Sequence, residues 1–309
     1  MRICPTVRHG AVSIALALSV LLAPQGMAAH ANLQATPTTI TVVDDHHTRI
    51  VLHKVPRRLI ALAANVTEIL FALGLGPEVV GVSSYSTYPP AATKMPIVIN
   101  YTTLNLEKIL RLKPDLLVAA AIVPQSIIIK LRSVHLAVLV TDPHDLAGIL
   151  HDIVLVGTAT GVPGRARALV ARLQKRIDAV ETVIRNARTH PRVFYEIDST
   201  LYTAGHGSFI DALITLAGGV NIAGTVMNPY PQLSAEKVIA ADPQYIILSD
   251  ATYGTTVASV AARPGWSRIS AVRNHHVYPF NDDLASRPGP RIVLGLETLA
   301  RLLHPELFH

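Results

Sequence analysis

Cysteine is nearly absent from this 309-residue chain. Cys4 is the only one, and it precedes the apolar stretch Ala11–Ala23. Arg2 and Arg8 before that stretch and Ala29-His30-Ala31 after it read as an export signal over residues 1–31, whose removal leaves no cysteine. Disulfides, thiol catalysis and Cys-ligated metals are then excluded, and no cysteine stands where a lipid anchor requires one. Charge is sparse at 16% and aromatics sparser at 5%, with Trp266 the single tryptophan. No aromatic-interleaved basic patch occurs, which argues against nucleic acid. The net charge of +6 falls to about +4 without Arg2 and Arg8, since 27 − 2 = 25 basic residues then face 21 acidic ones. No apolar run reaches bilayer length. Enzyme signatures are missing as well: there is no G-x-S-x-G, H-E-x-x-H or P-loop.

What the chain has instead is internal repetition. Asn105-Leu106-Glu107-Lys108-Ile109 followed by Lys113-Pro114-Asp115-Leu116 returns as Ser234-Ala235-Glu236-Lys237-Val238 followed by Asp242-Pro243-Gln244-Tyr245. Each Glu lies seven residues before its Pro, and a β-type apolar run follows both. Upstream, Leu70, Leu73, Gly76 and Gly81 echo in Leu213, Leu216, Gly219 and Gly224; downstream, Asp145-Leu146 echoes in Asp283-Leu284. Three echoes in one order predict two α/β lobes of related plan with a cleft between them.

The local patterns fill in that plan. Residues 32–56 read as a leader and a short hairpin, Ile40–Val43 against Arg49–Leu52 around Asp44-Asp45-His46-His47. Residues 57–162 alternate strands (59–63, 79–82, 115–120, 136–140) with helices (capped by Asn65 and Thr67, then 105–112, 124–133, 145–160), which predicts a mostly parallel sheet. Leu169, Leu173, Ile177, Val180 and Ile184 recur at helical spacing, so the spanning segment 163–190 holds one long helix from Arg165 to about Arg188, roughly 36 Å at 1.5 Å per residue. The second lobe, 191–309, opens with strand Val193–Ile197. Gly205-His206-Gly207-Ser208 reads as a tight turn with Ser208 as helix cap. His46-His47 and His275-His276 are adjacent pairs, which point to opposite faces of a strand and cannot chelate one ion simply; no metal site is expected.

Asn65-Val66-Thr67-Glu68, Ser83–Pro90 (SSYSTYPP), Asn105-Leu106-Glu107, Lys113-Pro114-Asp115-Leu116, Gly218-Gly219-Val220-Asn221-Ile222, Pro231–Glu236, Pro264-Gly265-Trp266 and Arg287-Pro288-Gly289-Pro290-Arg291-Ile292 follow one another at set spacings. Together they resemble the solute-binding proteins of ABC importers with a helical backbone, the class that delivers cobalamin, ferric siderophores or haem, with the cobalamin-binding members nearest. The resemblance spans about Ile40 to Pro305. It implies two Rossmann-like lobes joined by one spanning helix (the class III periplasmic-binding-protein plan), no enzymatic activity, no resident cofactor, and a monomer that docks on a permease dimer. It also implies that Glu107 and Glu236 meet arginines of the permease. Tyr85, Tyr88, Tyr101 and Tyr230 fall at ligand-facing positions, where cobalamin-binding members carry tryptophans at those of Tyr101, Ala120 and Tyr230. Haem-carrying members place an iron-ligating tyrosine near Tyr101, the alternative ligand class. Arg287 and Arg291 are candidates for a ferric siderophore, or else a helix-start pair bonding local carbonyls. Capture outside the cytoplasmic membrane, of a corrinoid first and of haem or siderophore second, is the expected function.

Overall fold

The computed structural model describes residues 39–100 and 103–308. The export signal and most of the leader lie outside the described residues. Strands β1 (Ile40–Val43) and β2 (Arg49–Leu52) pair antiparallel as a hairpin. The first lobe then alternates β3 (Leu59–Ala61), α1 (Ala64–Ala72), β4 (Val79–Ser83), β5 (Ile97–Asn100), β6 (Thr103–Leu104), α2 (Leu106–Arg111), β7 (Leu116–Ala120), α3 (Gln125–Ser133), β8 (Val138–Thr141) and α4 (Leu146–Ala159). The sheet order is β6-β5-β4-β3-β7-β8, parallel except for β6.

Helix α5 (Pro163–Ile184) follows, 22 residues long and about 33 Å. It buries Ala166, Leu169, Leu173, Ile177, Val180 and Ile184, one apolar stripe at three- and four-residue spacing. Gly157 of α4 faces Ala166, and a Cβ there would overlap the alanine's methyl. The missing side chain is what lets α4 and α5 close on each other.

The second lobe holds β9 (Arg192–Glu196), α6 (Phe209–Leu216), β10 (Val220–Asn221), α7 (Ala235–Ala241), β11 (Tyr245–Leu248), α8 (Val257–Ala261), α9 (Ser270–Arg273), β12 (Val277–Pro279) and α10 (Ile292–Leu303). Its sheet is fully parallel in the order β10-β9-β11-β12. Four adjacent strands of the first lobe, β4-β3-β7-β8, repeat that order, so the sequence echoes correspond to one topology used twice. The backbone echoes too. Lys113 and Asp242, each just before a proline, take left-handed φ values of 45° and 44°; His135 and His275, ahead of β8 and β12, both take 60°. Left-handed backbone is uncommon outside glycine, and here it falls at corresponding helix-to-strand turns.

Neighbouring strand residues face opposite ways, and the second lobe shows the result. Tyr195 and Ile247 point into a core running through α5 and the first lobe, whereas Phe194, Ile246 and Leu248 join a separate cluster with Trp266. Trp266 is buried edge-on to Phe194 at 6.1 Å under the Arg263 guanidinium at 4.5 Å, a structural role.

Several local expectations need correction. Asn65 and Thr67 lie inside α1 and do not cap it; the cap residue is Ala63, without a side-chain bond. Thr67 instead bonds back to the Ala63 carbonyl and across to Ser86. The β5–β6 pair was not anticipated, because the two residues of β6 carry too little periodicity to register.

Candidate functional site

The two matched carboxylates sit at equivalent points of equivalent helices. Asn105 caps α2 by accepting from the Lys108 N–H at 2.9 Å, and Ser234 caps α7 by accepting from the Lys237 N–H at 3.3 Å. Glu107 and Glu236 are therefore both the second residue of a short helix, exposed, where a negative charge complements the dipole. The backbone N–H of Glu236 and the Ser234 hydroxyl hold its carboxyl below the usual range. Among the described residues Glu107 meets Arg111 on its own helix, at 3.7 Å, with its side chain 81% exposed. One accessible carboxylate per lobe lets a partner engage both lobes at once.

The predicted tyrosines sit on loops leaving the C-terminal ends of parallel strands, where ligands bind in open α/β sheets. Tyr85 and Tyr88 follow β4, and both are exposed. Their loop is held by the Thr67–Ser86 hydroxyl bond at 2.7 Å and by the Ser84 N–H donating to the Ile99 carbonyl. Tyr230 follows β10 and is half exposed. Its loop is stitched to residues 203–206: the Thr203, Gly205 and His206 N–H groups donate to the Pro231, Pro229 and Val226 carbonyls. A Cβ at Gly205 would collide with the Asn228 carbonyl, so this glycine admits the loop carrying Tyr230. Ser208 caps α6 as expected, accepting from the Asp211 N–H at 3.1 Å. Tyr101 lies outside the described residues.

The segment after β12 connects these loops. At one end Asp282 is close enough to Tyr230 that burial, and then the Asp282 charge, raise the phenol's pKa. Asp282 is itself pushed up by burial and the neighbouring Asp283 charge. At the other end the Arg291 guanidinium lies 4.0 Å over the Tyr88 ring. In between, Arg287 and Arg291 converge on Glu68 of α1, from the other lobe. Arg291 binds it through two bonds, Nε at 2.9 Å and Nη2 at 2.6 Å, and Arg287 reaches it at 3.4 Å. Arg287 also pairs with Asp283 at 2.7 Å and donates to the Thr87 hydroxyl at 3.2 Å. Beside them Asn65 donates to the Pro288 carbonyl at 3.3 Å.

Among the described residues neither arginine bonds a local carbonyl, and both bridge the lobes. Sequence reasoning gave Glu68 no role. Its signal was a carboxylate directly before Ile69 and Leu70, on the face that α1 buries, and its partners lie more than two hundred residues away. Among the described residues no group of three or more His, Cys, Asp or Glu is placed to hold a metal ion, and no helix is long and apolar enough to cross a membrane.

The family model described as "Periplasmic binding protein" matches residues 59–284, both lobes and the spanning helix. The chain belongs to the periplasmic binding protein family. This periplasmic binding protein is 34% identical over 250 residues to the vitamin B12-binding protein of Vibrio cholerae serotype O1, covering 80% of this chain and 88% of the relative. It is 30% identical over 277 residues to the uncharacterized ABC transporter substrate-binding lipoprotein YvrC of Bacillus subtilis, covering 87% of each. Among solved structures it resembles the periplasmic heme-binding protein RhuT from Roseiflexus sp. RS-1 in apo form, with TM-score 0.73 and 29% identity over 81% of this chain and 99% of that one. The class is one of solute binding rather than catalysis, on the class III plan of two lobes and a spanning helix.

Proposed function

We propose that this periplasmic binding protein captures cobalamin or a related corrinoid between its lobes, outside the cytoplasmic membrane, and delivers it to an ABC importer. The observation that carries the delivery role is the pair Glu107 and Glu236, exposed at the same position of the same helix in each lobe. Two such points, one on each lobe, fit a two-fold permease that presents cationic side chains, with a single copy of this chain docked across it. The relatives that bind vitamin B12 support the ligand class. Tyr88 and Tyr230, on loops from the two lobes, suit a flat macrocycle because aromatic rings bury large area at small entropic cost. Binding, with no covalent step, is the whole mechanism.

Haem is the second reading, favoured by the likeness to RhuT and by Tyr101, since a phenolate is an acceptable axial ligand for ferric haem. Calorimetric titration of the purified protein with cyanocobalamin decides between them. The expected result is one-to-one binding at micromolar affinity or tighter, weakened by Tyr101→Ala or Tyr230→Ala. Absence of heat with cyanocobalamin, together with a Soret shift on adding haem, would replace the corrinoid by haem.

A further inference from the structure

The chemistry at the lobe junction fixes which ligand charge the cleft accepts. Two guanidiniums, Arg287 and Arg291, stand beside Tyr88 and Thr87, where cations could greet the carboxylates of an acidic ligand. They are instead ion-paired by Glu68 and Asp283, with the Asp282 carboxyl also within electrostatic reach of Arg287. Glu68 is the member that matters most. Its side chain is only 2% exposed, it touches both arginines, and it reaches them from the opposite lobe. A carboxylate this deeply withdrawn from water is retained only with full pairing, so the guanidiniums are committed to it. Bidentate geometry on Arg291 also fixes the plane of the guanidinium that covers one face of Tyr88.

We propose that Glu68 is a specificity-determining residue, which cancels the charge of Arg287 and Arg291 at the cleft and so selects a net-neutral ligand over an acidic one. This rests on the corrinoid reading, because cyanocobalamin is a net-neutral macrocycle whose rim carries amides rather than carboxylates. The same four groups join α1 of the first lobe to the start of α10 in the second. Arg176 of α5 in turn grips Glu297 of α10 through two bonds, at 2.8 and 2.7 Å. The charge filter is thus part of the joint that holds the lobes in register, and Glu68 acts through the arginines as a positioning residue.

Protoporphyrin IX is the appropriate acidic probe: it carries two propionates and no iron, so axial ligation by a tyrosine cannot contribute. Fluorescence titration of wild type and Glu68→Gln with protoporphyrin IX and with cyanocobalamin reads the filter directly. Glu68→Gln is expected to bind protoporphyrin IX about tenfold more tightly, the scale of one charge-assisted hydrogen bond, with the gain erased by high salt. Cyanocobalamin binding should weaken in the same variant. Adding Arg287→Gln to Glu68→Gln restores the charge balance and should abolish the gain. Asp283→Asn makes the same change of charge at a more exposed position, and should show a smaller gain of the same sign if Glu68→Gln does not fold. Weakening of both ligands, or no salt-dependent gain in either single variant, would overturn the proposal. Failure of the wild type to bind cyanocobalamin would overturn the corrinoid reading alone, because the protoporphyrin comparison stands without it.

Discussion

Asp152 is buried in α4 at 1% exposure, and neither carboxyl oxygen meets a donor. It faces Asp45, in the β1–β2 turn, with Asp142 and its neighbour His46 close by. Asp45 itself accepts the Asp142 N–H at 2.6 Å. Burial first, then the contact with Asp45 and the charges of Asp45 and Asp142, push the Asp152 carboxyl from 3.8 up to about 9. The native state therefore holds a proton on Asp152 that the unfolded chain releases near pH 4. Where the native state binds the extra proton, stability falls as pH rises, by about 1.4 kcal/mol per unit. That loss runs from about pH 4 to about pH 9 and is complete above it.

Asp152→Asn keeps the shape and supplies an amide N–H to Asp45 without titrating. Relative to wild type, the variant should gain about 4 kcal/mol between about pH 5 and about pH 8, three units of the wild-type slope. At about 2 °C per kcal/mol for a chain of this size, its melting temperature should move relative to wild type by about 8 °C over that interval. Thermal unfolding followed by circular dichroism across that range measures it. Parallel pH profiles for the two proteins would refute a proton held on native Asp152, whatever their offset.

Two further outcomes follow from the geometry. Reversing both Glu107 and Glu236 to Arg should abolish transport in an uptake assay while the dissociation constant for the ligand stays unchanged, since both side chains lie on exposed helix starts; lost affinity would refute their assignment to docking. Gly157→Ala should destabilise by about 1–3 kcal/mol in a denaturant titration, the cost of overpacking the α4–α5 contact against Ala166, and a neutral result would show that the helices can separate without penalty.

The amino-acid sequence by itself determined whatever depends on neighbours in the chain. The apolar stripe of α5 lies in a three- and four-residue rhythm; Asn105, Ser208 and Ser234 announce helix starts because their side chains cap the N–H three residues on. The duplicated Glu-to-Pro spacing exposed the two-lobe plan because one topology repeated needs the same helix starts and the same turns. Short signals gave way to context: Thr67, read as a cap, is drawn into α1 because its hydroxyl finds Ser86, and the two-residue strand β6 lacks enough alternation to be seen. Only the tertiary structure decided the junction. Glu68 meets its arginines across sequence separations of 219 and 223 residues, and Asp152 meets Asp45 from a different element. A carboxylate's partner is set by which chain segments the fold stacks together, and no local periodicity encodes that choice. Hence Arg287 read in the sequence as a siderophore contact or a helix-start residue bonding local carbonyls, whereas folding across the α5 backbone delivers a carboxylate to it from the other lobe.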